Sequence, residues 1–116
     1  MADAALFLGW NRAVPGRENL AMQLFADGMA LYAKLQKAGR IESFEPVLLS
    51  AHGGDLNGFV LLRGERQKLD QLRTDEEFMK FAFRAGYCLQ GFGVVTAYLG
   101  NSIEKNLSTY RETIAK

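Results

Sequence analysis

The order in which apolar segments follow one another constrains this chain more than any single residue does. A short apolar run, Ala4 to Trp10, ends in polar residues, as a buried strand does. Pro15 and Gly16 then punctuate the chain, and Pro15 suits a first helical turn, where its missing N–H would be unpaired anyway. From Arg17 to Lys37, Leu20, Leu24, Gly28, Leu31 and Leu35 recur at helical spacing with Phe25 and Tyr32 beside them, and Gly39 is the stop. Ser43–Ala51 and Gly58–Arg63 flank the turn formers of HGGDLN, which predicts a hairpin with a loop somewhat longer than two residues. Pro46 has no N–H for a ladder, so its strand belongs at an edge. Glu65–Leu72 reads as a short helix. Thr74 and Glu77 have the spacing of a capping box before the stripe Phe78, Phe81, Ala82 and Ala85. Gly91–Leu99 is a fourth strand. Asn101 and Glu104 repeat the capping-box spacing, and Ile103, Leu107, Tyr110 and Ile114 give a last helix one coherent face.

This order, βαββαβ followed by a helix, predicts an α+β chain: a ferredoxin-like sheet with an extra C-terminal helix, in a single domain over residues 1–116. Successive strand residues point to opposite faces. Leu6, Leu8 and Trp10 share one face of the first strand, and Ala5, Phe7 and Gly9 the other. Phe59 and Leu61 oppose Val60 and Leu62, while Phe92 and Val94 oppose Val95, Ala97 and Leu99. Both faces are apolar, whereas an antiparallel sheet with one solvated face alternates apolar with polar. The two main helices cover one face. The other requires the C-terminal helix, a second subunit, or both. A helix about 10–12 Å across is narrow against four strands spaced at about 4.8 Å, so a homodimer burying sheet against sheet is the expectation.

Composition narrows the function classes. Hydrophobic residues make up 48% and charged residues 23% of the 116, with a formal net charge of +1. Nucleic-acid binding through the phosphate backbone needs clustered cations, and these cations are scattered, so no nucleic-acid partner is expected. No apolar run approaches the roughly 20 residues of a membrane span, so no membrane partner is expected either. A lone cysteine, Cys88, and an N-terminus without a basic region before its apolar run point to a cytoplasmic location. One His and one Cys do not make a tetrahedral metal set, and Gly91-Phe92-Gly93 lies in an apolar strand instead of a strand-to-helix turn. Neither metal nor cofactor is therefore expected.

With strand order 4-1-3-2, the end of the first strand, the hairpin and the start of the fourth strand meet at one sheet edge. Trp10, Asn11 and Arg12 come near His52, Asp55 and Asn57 there, with Tyr87, Cys88 and Gln90 approaching. His52, the single histidine, is the acid–base candidate, because a free imidazole titrates near pH 6.5, roughly the working range; the alternative is a solvated turn residue. Asp55 either orients the imidazole or bonds its own backbone in the turn. Arg12 and Arg17 either hold an anion near the helix start or are surface cations. Trp10 either packs in the core or lines an apolar pocket. The candidate ligand-binding residues are thus Trp10, Asn11, Arg12 and Asp55, with His52 catalytic if there is catalysis.

In ALFLGWNRAV, FEPVLLSAHGGDLNGFVLLRG and GFGVVTAYLG, the strand pattern resembles that of the dimeric α+β barrel superfamily. Its members include antibiotic-biosynthesis monooxygenases, muconolactone isomerases and stress-responsive barrel proteins. The resemblance spans about residues 4–100 and implies a dimer; no catalytic residue carries over, because no member's catalytic motif is present. The third strand, NGFVLLRG, lacks the exposed aromatics of an RNA-binding module, and NRAVPGREN lacks an acylphosphatase loop. Two functions follow: a homodimer binding a small, largely apolar metabolite, or a cofactor-independent enzyme of monooxygenase or isomerase type with His52 as acid–base.

Overall fold

A computed structural model of the chain describes residues 3–115. The elements run β1 (Ala4–Trp10), α1 (Glu18–Lys37), β2 (Ser43–Leu48), β3 (Gly58–Gly64), α2 (Arg66–Leu72), α3 (Glu76–Cys88), β4 (Gly93–Tyr98) and α4 (Asn101–Ile114). All strand pairs are antiparallel, in the order β2-β3-β1-β4, so β2 with its Pro46 lies at an edge as expected. β1 sits between β3 and β4 with Phe7 opposite Leu61 on one side and Val95 on the other.

Alternation along these strands divides the sheet. Leu6, Leu8, Val60 and Leu62 point to the helix side, where with Leu69 and Leu72 of α2 they are essentially inaccessible to solvent. Leu24, Leu31, Tyr32 and Leu35 of α1 and Phe78, Phe81, Ala85 and Cys88 of α3 complete that core. Cys88 is buried there as a small apolar residue. The opposite face carries Phe7, Phe59, Leu61 and Val95. Phe7 and Phe59 stack at 5.0 Å, and an ideal Cβ on Gly9 would collide with the Phe7 ring, so that ring lies across the bare Gly9 backbone. α4 leaves this face open, since residues 103–115 are all exposed.

The ends of the elements show how local chemistry settles boundaries. α1 closes on a Schellman motif: Gly39 has φ +75°, its N–H donates to Gln36 O, and Arg40 N donates to Leu35 O. Pro15 and Gly16 lie in a turn ahead of α1 and outside its first turn. The hairpin loop covers residues 49–57, so β2 stops at Leu48, well short of Ala51. Thr74 does not cap α3. Its hydroxyl donates to Gln71 O (2.9 Å), closing α2, and Asp75 caps α3 by accepting from Phe78 N (3.2 Å). Gly100, not Asn101, is the N-cap of α4; Ser102 Oγ accepts from Leu99 N (2.9 Å) and lies within hydrogen-bond reach of the Asp3 and Leu99 carbonyls.

Asp75 gives a pH-dependent prediction. The Phe78 N–H, with the Arg40 guanidinium 3.2 Å away, holds its carboxyl below the usual carboxylate range, against a smaller opposing effect of burial. A folded-state pKa below the unfolded value of 3.8 stabilises the fold above that value and loses the effect as pH falls through the folded one. Asp75→Ala is expected to lower the melting temperature by a few degrees at pH 7. The gap to wild type should narrow below about pH 4, read by thermal denaturation across pH.

Candidate functional site

The site grows from two glycines opposite aromatic rings. Trp10 ends β1 on the helix side, paired with Gly58 of β3. An ideal Cβ at Gly58 would lie 2.6 Å from the indole, so the ring lies across β3 because that strand is bare there. Gly28, midway along α1, plays the same part for α3: its Cβ position is 2.9 Å from Phe81 Cζ and 3.4 Å from the Tyr32 hydroxyl. A glycine inside a helix costs about 1 kcal/mol relative to alanine, and here it admits the Phe81 ring. Tyr32 meets Phe81 edge-on at 5.9 Å and Phe44 at 5.7 Å, and Trp10 meets Phe25 edge-on at 6.5 Å.

Between sheet and helices these rings leave a cavity of about 100 Å³. For scale, an engineered apolar cavity of about 150 Å³ admits benzene. None of its thirteen lining residues is charged, and their polar side-chain groups are the Trp10 indole N–H and the Tyr32 hydroxyl. Neither takes part in a side-chain hydrogen bond among the described residues. Tyr32 is only 3% exposed, and burial pushes its hydroxyl well above the ordinary tyrosine value. It therefore stays protonated and acts as a donor. The pocket can seat part of an apolar ring, and its lining includes side chains able to donate a hydrogen bond to an acceptor.

The sheet edge expected to gather polar groups does form. Asn57 N donates to Trp10 O (2.9 Å), Asn11 N to Gln90 O (2.8 Å) and Gln90 N to Arg12 O (2.8 Å). Asn57 Nδ2 also donates to Asn11 Oδ1, so Asn11 is occupied in holding the loop to β1. Of the residues singled out beforehand, Trp10 lines the cavity; Asn11, Arg12, His52 and Asp55 do not. Arg12, His52 and Asp55 are exposed. The His52 ring folds onto its own loop, with Nδ1 3.1 Å from Ser50 O and Nε2 2.7 Å from the Cβ position of Gly54. Arg17 is engaged in the fold: its Nη1 donates to Tyr87 O (3.0 Å) and its guanidinium lies 3.8 Å over the Tyr87 ring. Gly28, Tyr32 and Phe81 were read only as parts of helical stripes. A glycine at a buried position of a long helix was the available signal.

No group of three or more His, Cys, Asp or Glu among the described residues is placed to hold a metal ion. No helix among them is long and apolar enough to cross a membrane.

No protein-family profile and no curated protein matches the sequence. Solved structures do share its fold. One is a dimeric protein of unknown function with a ferredoxin-like fold from Bacteroides fragilis: 14% identity, TM-score 0.59, 83% of this chain and 96% of that one. PA3566 from Pseudomonas aeruginosa matches at 18% identity and TM-score 0.54, over 84% of this chain and 94% of its own. SnoaB, a cofactor-independent oxygenase from Streptomyces nogalater, matches at 18% identity and TM-score 0.50, over 85% of this chain and 97% of its own. At these identities the likeness concerns the fold, which is ferredoxin-like α+β.

Proposed function

We propose that this chain is a homodimeric binding protein, each subunit holding one small, largely apolar metabolite beside Trp10. The observation that carries this reading is the uncharged, aromatic-walled cavity with two donor-bearing side chains, Trp10 and Tyr32, in its lining, since small-molecule sites are typically apolar with a few placed polar groups. A ring lies against Trp10, Phe25 and Met29, and a carbonyl or ether oxygen accepts from Tyr32 or Trp10. Pairing through the open sheet face would cover Phe7, Phe59, Leu61 and Val95 and leave the cavity, on the helix side, accessible in both subunits. The dimeric Bacteroides fragilis neighbour supports the pairing.

Binding is favoured over catalysis by the same geometry. The oxygenase activity of SnoaB belongs to a neighbour 18% identical, and an acid–base role for His52 would require loop 49–57 to refold over the cavity. Tyr32, held protonated by burial, donates but does not serve as a base near neutrality.

Trp10 is the single tryptophan, so its emission reports on the site directly. Titration with acetophenone is expected to change that emission and to shift the resonances of Met29 and Val60. Ethylbenzene, which lacks an acceptor, should bind roughly fivefold more weakly, the equivalent of one net hydrogen bond of about 1 kcal/mol. Tyr32→Phe should erase most of that preference. Absence of any response at Trp10 and Met29 to either compound would overturn the reading.

A further inference from the structure

Helix α4 turns its polar side to its own subunit and its apolar side away. Asn101, Ser102, Lys105 and Thr109 border, with Arg66 and Tyr98, a shallow cleft of about 470 Å³ against the body of the fold. At about 100° per residue, Ile103, Leu107, Tyr110 and Ile114 lie a little under half a turn round the helix from those residues, and they are 45–62% exposed. A surface helix buries its apolar stripe, and nothing among the described residues of this subunit buries this one. The radius of gyration, 15.5 Å, exceeds the roughly 13 Å expected of a compact domain this long, as an extended helix requires. The three solved neighbours are matched over 94–97% of their own lengths but over 83–85% of this chain, so this chain carries a segment outside the shared fold.

The stripe itself describes its occupant. Its spacing of four, three and four residues is the narrow seam of a helix packed on one other helix, not the wider stripe of a helix laid on a core. The spacing also reads the same from either end. Two antiparallel copies set Ile103 against Ile114 and Leu107 against Tyr110, and that register places Glu104 beside the partner's Arg111 twice over. Self-complementarity of this kind is what a twofold contact demands.

We infer that α4 is an intersubunit arm whose apolar stripe pairs antiparallel with α4 of a second copy of this chain. The pairing presupposes the homodimer proposed above. A helix of 14 residues, about 21 Å long, is too short to associate stably alone, so the arm adds to a contact made elsewhere on the subunit.

Sedimentation velocity over a dilution series at low salt tests this with four chains: wild type, Glu104→Arg, Arg111→Glu and the double reversal. Each single reversal turns two attractive contacts into two repulsive ones and is expected to weaken self-association on the order of tenfold. The double reversal, with the net charge of the wild type, should return to within about threefold of it. Leu107→Asp should weaken association at least as much as either single reversal. Unchanged association in the single reversals, or no recovery in the double, overturns the α4 pairing and assigns the stripe to another surface of the partner or another molecule, with the homodimer intact. A wild-type chain that stays monomeric at every concentration removes both readings.

Discussion

Phe7→Glu is expected to convert the protein from a dimer into a monomer with its helix layer unchanged. Phe7 lies at the middle of the open sheet face, between Leu61 and Val95 in register and stacked on Phe59. In the proposed homodimer, a twofold axis through this face brings Phe7 into the contact from both subunits. Burying one such ring is worth about 1.5–3 kcal/mol, so two rings lost, before any carboxylate is desolvated, remove about 3–6 kcal/mol. At 1.4 kcal/mol per tenfold change in equilibrium constant, dimerisation weakens by roughly a hundredfold to ten-thousandfold, and two facing carboxylates weaken it further. Because Phe7 points away from the helix-side core, circular dichroism should retain the native helix content while sedimentation gives half the wild-type mass. A variant that stays dimeric at micromolar concentration would remove the sheet face from the interface.

The sheet order and the doubly apolar strands were legible because a two-residue period leaves no freedom: once Leu6 and Leu8 face the helices, Phe7 and Gly9 cannot. Element ends were less legible because several side chains compete for each one. Thr74 and Asp75 both stand before α3, and the contest is settled by Arg40, a residue just beyond the C-terminus of α1 that bonds Asp75, while Gln71 O takes the Thr74 hydroxyl. His52 carried two readings, an acid–base group and a solvated turn residue, because its orientation depends on the path of the loop: from 49 to 57 that loop lets the imidazole turn back on the Ser50 carbonyl. The cavity was the hardest part to foresee. Trp10 pointed to it, yet Gly28 and Tyr32 read as ordinary members of an apolar stripe, and that Gly28 faces Phe81 across two helices is a fact of packing that no periodicity carries.

Gly28 is also where the binding reading is most exposed. Gly28→Leu places its Cβ 2.9 Å from Phe81 Cζ and sends the remaining carbons into a cavity of about 100 Å³, so the side chain occupies the space a ring would take. Replacing a mid-helix glycine gains up to about 1 kcal/mol of helix propensity, and overpacking costs about 1–3 kcal/mol. The fold should therefore remain within about 2 kcal/mol of wild type while acetophenone affinity falls at least a hundredfold, the equivalent of about 2.8 kcal/mol. Gly28→Ala separates the two effects: one methyl group forces the Phe81 ring to shift by about 0.6–1 Å but leaves most of the volume free, so binding should weaken by less than about tenfold. Titration followed at Trp10, with thermal denaturation of each variant, reads both quantities. Gly28→Leu binding acetophenone as tightly as wild type does would place the ligand elsewhere on the molecule and leave the cavity a packing defect between α1 and α3.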